Sequence, residues 1–239
     1  PTYMGAHLLD RGYIPALGIA APWTIYVVGF HAVWSIGVPV ALAESLFPAR
    51  RLTPWVGKVG LCVMGALFAL GVFAVAFFSR KMSPFRPSSA EMGVTVLVIA
   101  AVAVAAFLFF RPSGPAVPRA GGMRPWKMGL FAFVCGSLFH YMNYGSGSSL
   151  STPVILCVEA GLIAIVVFAL AKASRSPGWS AANNDAVATG ALLVYCWWGF
   201  VLSRALHGPS DFPGHCVLVG LFLVLLLVRH LRGAARPTA

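Results

Sequence analysis

Seven stretches of about 20 or more mostly apolar residues follow one another with only short polar breaks, each long enough to cross the ~30 Å core of a bilayer as a helix. They run Gly18 to Phe47, Pro54 to Ser79, Glu91 to Phe110, Trp126 to Tyr144, Leu150 to Ala171, Asp185 to Leu206 and Phe212 to Val228. Hydrocarbon offers no water to a backbone N–H or C=O, so each segment must satisfy those groups itself, and helices do so. A barrel would show alternation, whereas Val94 to Phe110 and Leu218 to Val228 are apolar on every face. The chain therefore reads as an all-α polytopic transmembrane bundle, with residues 1–239 forming a single transmembrane domain.

A formal charge of +11 would point a soluble protein toward nucleic acid. Here the basic residues sit in short loops and at span ends, where they set orientation instead. With the C-terminus in the cytoplasm, Arg50, Arg51, Lys58, Arg111, Arg119, Arg124, Lys127, Lys172, Arg175, Arg229, Arg232 and Arg236 lie inside, while Arg11, Arg80, Lys81, Arg86 and Arg204 lie outside. Twelve against five favours N-terminus out and C-terminus in, although Arg80, Lys81 and Arg86 pull the other way. The expected surroundings are the lipid bilayer, with a membrane partner subunit or a second copy as the protein partner, and no nucleic acid.

Cys62, Cys135, Cys157, Cys196 and Cys216 fall in or beside apolar spans without CxxC spacing, which reads as small buried hydrophobes rather than a disulfide or metal framework. No GxxxxGK phosphate loop occurs, the seventh span holds no lysine for a retinal Schiff base, and no cofactor is expected. The chain opens on Pro1 with no basic n-region or cleavage pattern, which suggests a missing upstream segment rather than a signal peptide.

The block Gly29 to Lys58, GFHAVWSIGVPVALAESLFPARRLTPWVGK, resembles a segment of uncharacterised prokaryotic multi-pass membrane proteins. That resemblance implies the prokaryotic cytoplasmic membrane. It also implies upstream segments bearing a paired-glutamate motif, which this chain lacks. More distantly, the block is similar to the CAAX-protease-like glutamic intramembrane peptidases, which combine a Glu-Glu motif with a histidine followed four residues later by a small polar residue. His31 and Ser35 have that spacing and project from one helix face, so the similarity marks them as the catalytic candidates. In such a site a carboxylate activates water while His31 and its neighbour stabilise the oxyanion.

Ionisable groups inside a span cost about 2.5 kcal/mol or more, so each needs a partner, a cavity or a task. Glu44 lies close to Arg50 and Arg51 at an interface. His31 is expected to face other helices, and Pro39 to bend the first helix near Ser35 to Pro39. Gly29, Ser35, Gly37 and Ala41, and Gly65 with Ala69, read as close-packing positions. Trp23, Trp55, Trp126 and Trp179 mark span ends as an aromatic belt, and Trp197 and Trp198 lie deeper in the bundle.

The preferred orientation gathers His140, Glu159, Arg204, His207, Asp211 and His215 in the outer third. Three readings are open for them. Arg204 can neutralise Glu159 as a structural pair; His140, Glu159, Arg204 and His207 can form a substrate or proton pathway; or His140, Glu159, His207, Asp211 and His215 can hold a metal, although no ligand spacing supports the last. With no complete catalytic set, the leading expectation is a permease-like or accessory membrane subunit without chemistry of its own. The rival is an intramembrane hydrolase using His31 and Ser35.

Overall fold

The computed structural model describes residues 12–14, 19–47, 50, 53–82, 88–109, 124–144, 150–176, 178–206 and 211–234. Seven helices run through them: α1 (Ala21–Leu46), α2 (Lys58–Met82), α3 (Ser89–Phe109), α4 (Pro125–Tyr144), α5 (Thr152–Ser174), α6 (Ala181–Leu206) and α7 (Phe212–Ala234). Each coincides with one apolar stretch of the sequence. Proline opens four of them, at Pro22, Pro125, Pro153 and Pro213, where the first turn has no use for its missing N–H. α3 opens on a capping box: the Ser88 N–H donates to Glu91 Oε2 at 2.6 Å, and the Glu91 N–H donates to Ser88 Oγ at 3.2 Å.

The first helix begins at Ala21 rather than Gly18, because Ala20 is extended (φ −93°, ψ 108°) and pairs backward. Ile19–Ala20 (β2) lies antiparallel to Tyr13–Ile14 (β1), the one departure from an all-α fold among the described residues. Among those residues, α1, α5, α6 and the Lys58–Phe78 part of α2 are long and apolar enough to cross a membrane, and Ser89–Ala105 and Phe212–Val228 are shorter apolar stretches. α4 falls outside that set because it carries Lys127, Ser137, His140 and Asn143.

The core is centred on α4 and α6, flanked by α1 and α5. Their backbones nearly touch where Gly190 faces Gly129: a Cβ on Gly190 would overlap the Gly129 carbonyl, and one on Gly129 would lie 3.0 Å from the Ala186 oxygen. Tight crossing of small residues is how helices associate where lipid removes the hydrophobic drive. Two turns further along α4, Gly136 admits Val194 and Trp34. Gly29 accepts the Phe139 ring as expected, but Ser35 and Gly37 are exposed, and the Gly65 face of α2 meets nothing. α2 and α3 present exposed side chains along nearly their whole described length, a surface that suits lipid.

α1 is not a plain α-helix. His31–Gly37 forms a π turn, and the Val38 N–H reaches back five residues to the Val33 carbonyl. This irregularity stands immediately before Pro39, in the region where the sequence predicts a bend. It also solves a phase problem. In a 3.6-residue helix every fourth position drifts about 40° around the axis, so Tyr26 and Val38 would face about 120° apart. Winding looser through the π turn, with its i→i+5 bonds, lets buried Tyr26, Trp34 and Val38 join one core cluster. Trp34 fixes that face by donating its indole N–H to the Ala191 carbonyl of α6 at 2.8 Å.

The cysteines are free; Cys135 and Cys196 are half-buried, whereas Cys62, Cys157 and Cys216 lie on outward faces rather than in the core. The helix supplies no inward azimuth at those three positions, and lipid accepts a thiol as readily as the core does. Trp179 donates to Asn184 Oδ1 at 2.7 Å at the start of α6, Trp197 donates to Ser137 Oγ at 2.9 Å, and Trp198 is buried.

Candidate functional site

Among the described residues, two ionisable side chains are wholly enclosed. His140 of α4 and Glu159 of α5 are each 0% exposed. His140 Nδ1 shares a hydrogen bond of 2.8 Å with the Tyr26 hydroxyl of α1. One turn along α4, Asn143 Nδ2 donates to Glu159 Oε1 at 2.5 Å and to its own helix at the Phe139 carbonyl at 3.2 Å. Because residues three apart on a helix are neighbours, Tyr26, His140, Asn143 and Glu159 make one polar centre joining α1, α4 and α5. It is incompletely satisfied: His140 Nε2 and Glu159 Oε2 are buried without hydrogen-bond partners among the described residues. Such an atom forfeits its hydration, a cost of about 1–3 kcal/mol or more.

Aromatic rings seal this centre. The His140 imidazole stacks on Trp198 with centroids 5.0 Å apart and planes at 18°, and lies 4.7 Å from the nearer Trp34 ring. Phe30 meets it edge-on at 5.8 Å, and Tyr195 stands at 6.3 Å. Tyr26 stacks in turn on Phe139 at 5.4 Å. Stacked and edge-on rings exclude water while holding an imidazole in one orientation.

The sequence-selected residues divide into three places. His140 and Glu159 come together. Arg204 does not join them: it is exposed near the end of α6, and no ion pair links it to Glu159 among the described residues. Glu159 instead meets Asn143 of α4. His207 lies outside the described residues. Asp211 is exposed, and His215 belongs to a separate α6–α7 corner, edge-on to Phe200 at 4.4 Å and seated on Gly199, where a Cβ would overlap its ring. Among the described residues no group of three or more His, Cys, Asp or Glu could hold a metal ion.

His31 and Ser35 form the third place. Their i, i+4 spacing is realised as a hydrogen bond of 2.9 Å between His31 Nδ1 and Ser35 Oγ, but both are exposed, contrary to the expectation that His31 faces other helices. His31 follows Phe30, and one step along a helix turns a side chain about 100° away from its neighbour's face. No described carboxylate bonds to the pair. Glu44 is half-buried near the end of α1.

Residues 3–116 match the model of an uncharacterized membrane protein family. The chain is a multi-pass membrane protein. The matched part covers a little under half of it and contains α1, α2 and α3, including the block Gly29 to Lys58. It brings no link to the CAAX-protease-like peptidases. No curated protein and no solved structure matches the chain. Of the polar centre, Tyr26 alone falls within the family match, while His140, Asn143 and Glu159 follow it.

Sequence reasoning finds His140 and Glu159 through their charge in apolar surroundings. It misses Tyr26, and it does not single out Asn143, next to the last residue of the fourth span, as a partner. The usable signal was the phenol itself, since a buried tyrosine hydroxyl needs a hydrogen-bond partner.

Proposed function

We propose that this membrane protein is permease-like and performs no hydrolysis, with the Tyr26–His140–Asn143–Glu159 centre as the point where a proton or small polar solute is held in transit. The observation that carries this reading is Glu159, enclosed in a helix apolar enough to span a membrane, with one carboxyl oxygen on Asn143 and the other unpartnered among the described residues. An ionisable residue there is expensive, by about 2.5–3.5 kcal/mol on insertion scales, and such residues line substrate and proton routes. His140, one turn from Asn143, supplies a second group able to accept and release a proton. Hydrolysis of the expected kind requires a carboxylate, and none among the described residues bonds to the exposed His31–Ser35 pair.

The test is purified protein in liposomes that enclose a pH-sensitive dye, challenged with a pH gradient and with amino acids, sugars and inorganic ions in turn. Wild type is expected to move protons with at least one of these classes. Glu159→Gln, which keeps shape and removes the ionisable group, is expected to slow that flux at least about tenfold while leaving the unfolding temperature close to wild type. A Glu159→Gln protein as fast as wild type, or wild type no faster than empty liposomes in every case, overturns the proposal.

A further inference from the structure

A second feature lies further toward the start of α4. An open, mostly apolar groove of about 1220 Å³ runs between α4, α6 and α7, with Trp126 and Phe133 on one side, Leu193 and Phe200 along its floor and Leu226 on the other side. In a bilayer such a groove takes acyl chains whatever their headgroup, so its specificity has to come from its mouth. Trp126 at that mouth is 58% exposed, and the Lys127 ammonium lies 5.8 Å from the centre of its indole. Arg124, also exposed, directly precedes Pro125, the first residue of α4 and part of the groove. The positive end of the α4 dipole points the same way. Asp185 is the opposing charge among the lining residues, which leaves Arg124 and Lys127 with one positive charge in excess.

We propose that this groove binds an anionic phospholipid, with the acyl chains along α6 and the phosphate against Arg124, Lys127 and the first turn of α4. Its place in the fold is separate from the buried centre, and its test does not depend on transport. A zwitterionic lipid fills the same groove but gains nothing from the excess charge. One net basic charge near the surface corresponds to a preference of about fivefold.

The full chain, reconstituted in phosphatidylcholine bilayers, is titrated with chain-brominated phosphatidylglycerol or chain-brominated phosphatidylcholine. Quenching at the groove is isolated as the difference between wild type and Trp126→Phe. Brominated phosphatidylglycerol is expected to quench Trp126 at an about fivefold lower mole fraction than brominated phosphatidylcholine. An Arg124→Gln/Lys127→Gln protein, altered only at exposed positions, is expected to show the two lipids as equal. The proposal is overturned by equal quenching in wild type, which means non-selective annular lipid, or by no quenching from either lipid, which means that protein covers the groove. A preference that survives the double substitution overturns it as well.

Discussion

The Tyr26 hydroxyl and His140 Nδ1, 114 positions apart in sequence, share a hydrogen bond of 2.8 Å inside a shell of aromatic rings. This contact ties α1 to α4 and leaves His140 Nε2 as the ring nitrogen without a partner among the described residues. Tyr26→Phe keeps the stacking on Phe139 and removes only the hydroxyl. It should lower stability by about 1–2 kcal/mol, read as a lower midpoint of thermal unfolding by tryptophan fluorescence in detergent. Adding His140→Phe should cost less than the sum of the single changes, with a coupling of about 0.6–1.7 kcal/mol. Strict additivity would show that the contact carries no energy.

The Gly190 and Gly129 approach gives a sharper expectation. In Gly190→Ala the new methyl meets backbone rather than a movable side chain, so α4 and α6 must separate. Overpacking of this kind costs about 1–3 kcal/mol or more, and here it loosens the central helix pair. Gly65→Ala, where nothing lies within 4 Å, should be neutral. Equal melting temperatures for the two variants would contradict this packing.

His31→Ala removes an exposed imidazole bonded only to Ser35 among the described residues. Its cost should stay within about 0.5 kcal/mol, as for other surface substitutions. Proton or solute flux should be unchanged. Loss of a peptidase activity on His31→Ala, measured with a fluorogenic peptide in micelles, would return the pair to the centre of the account.

From the basic residues we propose that the N-terminus lies outside and the C-terminus inside. A cysteine at position 146 should react with an impermeant thiol reagent in intact cells, and one at position 232 should not, both in a background without the native cysteines. The reverse labelling would invert the bundle.

The helices were legible because a bilayer writes its thickness into the sequence as runs of about 20 apolar residues. His140 and Glu159 were legible for the same reason, as exceptions within such runs. Their partners were not. Tyr26 and Asn143 are ordinary residues whose roles arise from which faces meet, and azimuth around a bundle leaves little trace when helices are apolar on all sides. Arg204 shows the error this invites: charge and span position made it a candidate partner for Glu159, yet it stays exposed while Glu159 meets Asn143. His31 and Ser35 show the converse: their spacing put them on one helix face, where they share a hydrogen bond, but carried no information about whether that face meets other helices.

The loose winding at His31–Gly37 makes α1 two half-helices whose directions are set separately. Upstream, Tyr26 is aimed at His140; downstream, Val38 is aimed into the core beside Trp34. Removing a single residue between them would leave both halves helical, yet rotate one against the other by roughly a quarter turn. Tyr26 would then swing away from the imidazole while every side chain in the chain kept its identity. This short stretch is thus the one part of α1 where chain length, rather than chemistry, decides whether the buried histidine keeps its partner.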